Sequence, residues 1–201
     1  MSANNGTVMN DCAFIMVGCS NVKRLSEFLS DFTMKNTFTR WVSGGHIPSI
    51  SQTVCRMVNG VRNRNILVTL HIGGNDVAFT DRLDLVIHNY AELIRTIKEQ
   101  AYVSGKKCLV SVCTLPPRYP VYMSTAEKHA LARKINHVNS AIEQLCSSTN
   151  SLYTNIIETQ KGSLGHDGVH YTTNGAKRVA GAIMSQWRCF LAHGRIPFGP
   201  S

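Results

Sequence analysis

Short apolar runs bounded by turn residues alternate with stretches of helical period along nearly all of the 201-residue chain, and few architectures accept that pattern. The runs "AFIMVG" (13–18), "FTRWV" (38–42), "ILVTLHIG" (66–73), "CLVSVC" (108–113) and "SLYTNII" (151–157) have the length and β-branched content of strands. The third and fourth are apolar enough to be buried on both faces. Between them apolar residues recur at spacings of three and four: Val22, Leu25, Leu29 and Phe32; Val86, Tyr90, Leu93 and Ile97; Leu131, Ile135, Val138, Ile142 and Leu145; Val179, Ile183, Trp187 and Leu191. Ile50, Val54 and Met57 mark a shorter helix with Gly60 placed as its glycine cap. Strand-helix-strand alternation implies crossovers between parallel strands. The expected fold is therefore α/β, a three-layer α/β/α sandwich around a mostly parallel five-stranded sheet.

No repeat, low-complexity tract or linker divides the chain, which reads as one domain over residues 1–201 with a short irregular N-terminus (1–11) and an irregular tail, "HGRIPFGPS" (193–201). No apolar run approaches the roughly 20 residues needed to span a bilayer. "MSANNGTVMND" lacks the basic start and apolar middle of a secretory signal, so the expected location is intracellular, in the cytoplasm, unless a targeting segment is missing. Seven cysteines, an odd number without a C-x-x-C pair, read as reduced thiols, with Cys12, Cys108 and Cys113 as small apolar residues on strands. The net charge of +9 admits a nucleic-acid partner. The basic residues, however, come in scattered pairs (Arg62/Arg64, Lys106/Lys107, Arg133/Lys134, Lys177/Arg178) with no aromatic interleaving, the pattern of a solvated surface.

Open parallel sheets carry their sites at the carboxyl ends of the strands, so the informative loops follow residues 18, 42, 72, 113 and 157. The first, "VGCSNVKRL", sets Ser20 at the step into a helix, where free N–H groups and the helix dipole favour a developing negative charge; the same position suits an N-cap serine. "WVSGGHIPS" offers Gly44 and Gly45, whose lack of a Cβ lets a main-chain N–H approach a substrate oxygen. "LHIGGNDVAF" ends a buried strand with Asn75, whose amide could donate to that oxygen, although Gly and Asn there also suit a plain turn. After the last strand, "HDGVHYTTNG" places Asp167 and His170 three apart, close enough for the carboxylate to take the Nδ1 proton and orient the ring as a general base.

In this order the four blocks resemble the SGNH hydrolases, also called GDSL esterases and lipases, with "GGND" matching G-x-N-D and "DGVHYTTNG" matching D-x-x-H followed by a glycine. The resemblance implies the family's flavodoxin-like fold and a serine esterase that cleaves carboxyl esters, short-chain acyl or acetyl esters in particular, through an acyl-enzyme. Ser20, His170 and Asp167 would be the catalytic residues, and Ser20, Gly44 and Asn75 the oxyanion hole. "TLPPR" (114–118) resembles the loop that borders the substrate cleft. The partner expected is a small-molecule ester, with no cofactor. One departure stands out: the family's Gly-Asp-Ser is here Gly18-Cys19-Ser20, and a thiol replaces poorly the aspartate that braces the nucleophile turn. Side chains of neighbouring residues diverge at such a turn, so Cys19 is expected to be buried rather than to act as the nucleophile. Two alternatives follow from the departure and the charge: a catalytically weakened binding module, or a nucleic-acid-associated esterase-like domain of the kind found in some retroelement proteins.

The remaining histidines carry plainer expectations. His166 and His170 would need a helix to align on a metal, and the glycines around them favour a loop, so no metal is expected. His71 reads as a hydrogen-bonded core residue and His46 as a neighbour of the cleft.

Overall fold

Ala13 to Val17 are apolar without alternation because the strand they form is covered on both sides. In the computed structural model, which describes residues 12–30, 36–156 and 162–193, that strand is β1 (Cys12–Gly18), every residue of it buried. It is followed by α1 (Ser20–Leu29), β2 (Thr37–Trp41), α2 (Ile47–Gly60), β3 (Asn65–His71), α3 (Gly74–Ala78), α4 (Leu83–Val103), β4 (Lys107–Cys113), α5 (Thr125–Ser148), β5 (Leu152–Thr154) and α6 (Thr173–His193). All strand pairs are parallel, in the order β2-β1-β3-β4-β5.

Helices close both faces, giving the three-layer α/β/α architecture. Ile15, Val17, Val68, Leu70 and Val110 pack on one side against apolar residues of α2, α4 and α5 such as Val54, Ile94 and Ile135. Phe14, Met16, Leu67 and Leu109 pack on the other against α1 and α6, centred on Trp187. Trp187 lies 5.0 Å from the Phe14 ring and its indole N–H donates to Thr69 Oγ1 at 3.0 Å, so the largest core side chain is both buried and satisfied. The cysteines are not joined in disulfides, and among the described residues no helix is long and apolar enough to cross a membrane.

Differences from the expected boundaries have local causes. Gly60 is the last helical residue of α2 rather than a left-handed cap, because the chain leaves directly into extended backbone at Val61 (φ −75°, ψ 140°), whose N–H closes on Met57 O at 3.2 Å. Gly73 to Asp76 form the entry to a helical turn, α3, instead of a bare turn, with Gly73 alone at positive φ (104°). β5 is shorter than the apolar run that encodes it, and α6 continues through His193, where the tail was expected to start. Phe32, Ile157, the segment 1–11 and the tail from 194 lie outside the described residues.

Candidate active site

Ser20, Asp167 and His170 meet where β1 ends and α6 begins. β1 stays paired with β3 to its last residue only because Gly18 has no side chain; a Cβ there would collide with the His71 carbonyl. Cys19 then turns extended (φ −85°, ψ −167°) and N-caps α1 through its backbone, with no side-chain capping bond, its thiol side buried as expected. Ser20 is therefore the first residue of the helix and not its cap. Its hydroxyl lies 2.9 Å from His170 Nε2.

The imidazole is oriented from its other nitrogen. Nδ1 lies 2.6 Å from Asp167 Oδ2, while Asp167 Oδ1 accepts the N–H groups of Val169 and His170, each at 2.9 Å. Partial burial pushes the Asp167 carboxyl up, but the His170 and Val169 N–H groups and the imidazole outweigh it and hold the carboxyl well below the usual carboxylate range. An ionised carboxylate only accepts, so Nδ1 carries the proton and Nε2 of the neutral ring is left as an acceptor for the Ser20 hydroxyl.

Asn21 holds this geometry in place. Buried next to Ser20, it donates from Nδ2 to Val169 O (3.3 Å) and accepts the Tyr171 N–H at Oδ1 (3.0 Å), which pins the backbone on both sides of His170 to α1. The Asp-His turn is further tied to the loop after β4, where the Tyr119 N–H donates to Gly168 O at 2.8 Å.

The second and third loops converge on the same crest. The Val42 N–H donates to Gly18 O (2.9 Å), which starts the Gly44 loop beside the Ser20 turn. The Gly45 N–H is spent on Val42 O (3.0 Å), whereas Gly44, at φ +67° and exposed, has an N–H that meets no acceptor among the described residues. Asp76, 8% exposed, fixes this loop to α3: its carboxylate accepts the Ile47 N–H at the start of α2 (3.0 and 3.2 Å) and lies 3.6 Å from His46 Nδ1. Asn75 donates from Nδ2 to Gly45 O (3.2 Å) and accepts at Oδ1 from Arg118 Nη1 (2.8 Å). Arg118, buried in the loop after β4, packs on Gly74, where any Cβ would collide with the guanidinium.

Of the other histidines, His71 is buried beneath the site and shares a 2.9 Å hydrogen bond with the Tyr171 hydroxyl. Desolvation, helped by the charge of Arg118, lowers its pKa to about 4, so it stays neutral. His46 sits on the rim with its ring 6.3 Å from Phe79. His166 lies in the same turn as His170 rather than on a helix, and among the described residues no group of three His, Cys, Asp or Glu side chains converges as a metal site.

Three residues at this site escaped the sequence reading: Asn21, Asp76 and Arg118. Asp76 and Arg118 are the last residues of "GGND" and "TLPPR", so their positions were marked but not their contacts. Asn21 carried no signal beyond following the serine.

A sequence profile of the GDSL-like lipase/acylhydrolase family matches residues 51–178, a stretch that holds Asn75, Asp167 and His170 and begins after Ser20 and Gly44. No curated protein matches the chain in sequence. Among solved structures, a GDSL-like lipase from Bacteroides thetaiotaomicron is 18% identical with a TM-score of 0.71, over 93% of this chain and 92% of that one. A carbohydrate esterase family 3 protein from Talaromyces cellulolyticus is 16% identical with a TM-score of 0.67, over 90% and 99%. Est24, a carbohydrate acetylesterase from Sinorhizobium meliloti, is 14% identical with a TM-score of 0.67, over 89% and 99%. At these identities the likeness establishes the fold.

Proposed function

The chain belongs to the GDSL-like lipase/acylhydrolase family, and from that premise we propose that this carboxylic ester hydrolase cleaves short-chain acyl esters, acetyl esters above all, through an acyl-enzyme on Ser20. The observation that carries the proposal is the unbroken relay from the Ser20 hydroxyl through the His170 ring to Asp167, at 2.9 and 2.6 Å. A serine hydroxyl is a weak nucleophile until a base takes its proton. Here Nε2 accepts that proton as Oγ bonds to the ester carbonyl carbon. The oxygen that becomes negative is met by the Ser20 N–H in the first turn of α1, the uncommitted Gly44 N–H and the Asn75 amide. His170, now cationic against Asp167, returns the proton to the leaving alcohol, and water repeats the sequence to release the acid and restore Ser20. The acetyl preference draws on the fold shared with the carbohydrate acetylesterase Est24.

Cys19, which supplies no capping bond, is what favours the weakened binding module as a second reading. Asn21 offsets it, since it braces the nucleophile helix against the His170 turn directly. The nucleic-acid alternative draws on Lys23, Arg24, Lys177, Arg178 and Arg188, all exposed on α1 and α6 with Glu27 as the one acid of those helices. Its support would be an RNA mobility shift that weakens steeply with salt.

A fluorophosphonate probe with peptide mapping, run beside p-nitrophenyl acetate, butyrate and octanoate, tests the esterase. The expected result is labelling of Ser20 alone, turnover fastest on acetate, and neither in Ser20→Ala. Wild-type protein that neither labels nor turns over any of the three esters would overturn it.

A further inference from the structure

The guanidinium of Arg118 is buried beside the candidate oxyanion site, and among the described residues no carboxylate pairs with it. Arg118 is 5% exposed and its Nε has no hydrogen-bond partner among the described residues. The acid nearest in influence, Asp76, is committed to the Ile47 N–H and to His46. The groups that feel the guanidinium charge are Cys19, Tyr171, Tyr122 and Asp76, together with neutral His71. Cys19 stands where the family pattern has an aspartate, so the position that would place a carboxylate in this field holds a thiol instead. Burial disfavours such a cation, yet an arginine keeps its proton. A merely structural role could be filled by a neutral side chain at lower cost.

We propose that Arg118 is a positioning residue for ester hydrolysis that orients and polarises the Asn75 amide toward the oxyanion; this rests on the assignment of Asn75 as an oxyanion donor. The amide is held at both ends, by Arg118 at Oδ1 (2.8 Å) and by Gly45 O at one Nδ2 proton (3.2 Å). It cannot flip without losing both bonds, and the second Nδ2 proton is fixed in direction. A charge-assisted bond to Oδ1 withdraws electron density through the conjugated amide and makes that second proton a stronger donor. Because no carboxylate among the described residues neutralises the guanidinium, its charge acts undiminished on Asn75 Oδ1, and the donor it strengthens counts most as negative charge develops on the substrate oxygen, which favours the transition state over the ground state.

Arg118→Gln retains a donor for Asn75 Oδ1 but not the charge; Arg118→Lys retains the charge. Arg118→Gln is expected to lower kcat about tenfold with KM within about twofold, while Arg118→Lys recovers most of the loss. In an Asn75→Ala background the same Arg118→Gln change is expected to cost less than about twofold, since the group it acts through is gone. Independently of turnover, the Asn75 side-chain amide proton resonances are expected to move upfield in Arg118→Gln and less in Arg118→Lys. If Arg118→Gln does not fold, the Arg118→Lys cost must likewise vanish without Asn75. Equal costs with and without Asn75, a change confined to KM, or unmoved amide resonances would overturn the proposal. A wild-type protein inert to esters would instead overturn the esterase, with the amide resonances still deciding whether Arg118 polarises Asn75.

Discussion

Ser20 Oγ and His170 Nε2 stand 2.9 Å apart although 150 positions separate the two residues in the chain. Their meeting depends on Asn21, which carries the Val169 and Tyr171 backbone groups on its side-chain amide and so makes the His170 turn an extension of α1.

Asn21→Ala strips a half-buried carbonyl and a buried N–H of these partners. Unsatisfied groups of this kind cost about 1–3 kcal/mol each before relaxation or water entry, so a loss of roughly 2 kcal/mol in unfolding free energy is expected by urea denaturation. Fluorophosphonate labelling of Ser20 should slow as well, because the serine and the imidazole are no longer held in register.

Asp167→Asn should damage chemistry more than binding. Oδ1 already accepts two backbone N–H groups, so an asparagine must place its oxygen there and turn its NH₂ toward His170 Nδ1. That forces the proton onto Nε2, the wrong tautomer for accepting from serine. The expected fall in kcat is on the order of 10⁴ with KM little changed, measured by steady-state kinetics on p-nitrophenyl acetate.

Acid stability should report the same carboxylate. The folded state holds the Asp167 pKa below its unfolded value of about 3.9. Its stabilisation is complete above that value and is lost as pH falls from there toward the depressed folded pKa. Urea midpoints taken from pH 5 to pH 2 should therefore fall more gently in Asp167→Asn than in wild type.

Asn75→Ala should lower kcat by about 100- to 1000-fold through loss of one oxyanion donor. Binding of a trifluoromethyl ketone that forms the tetrahedral adduct should weaken in parallel, while KM for the ester stays nearly level. An equal rise in KM would instead mark Asn75 as a ground-state contact.

The layered fold was legible because its signal is physical and local. "AFIMV" of β1 and "ILV" of β3 are apolar without alternation since both strands are buried on both faces, and α4, α5 and α6 show a period that matches the face they bury. The edges blurred where that signal faded. β2 is an edge strand with three exposed residues, so its run was read one residue late, and the short α3 has too few turns to show any period. At the crest, Ser20, Gly44, Asn75, Asp167 and His170 were marked by motif and by position at strand ends. The bridging contacts of Asn21 and Arg118 were not, because each works by reaching across to a loop encoded far away, and nothing in composition or spacing records a side chain that bridges two distant turns.

The common direction of all five strands divides the molecule into a working pole and an idle one. The turns at the far pole, residues 61–64 and 104–106, lead into β3 and β4 and hold none of the groups placed at the crest. An affinity handle, a fluorophore or a fused partner inserted there would ride on the molecule without entering its crevice. It is also where drifting lineages can accept insertions at little cost to chemistry.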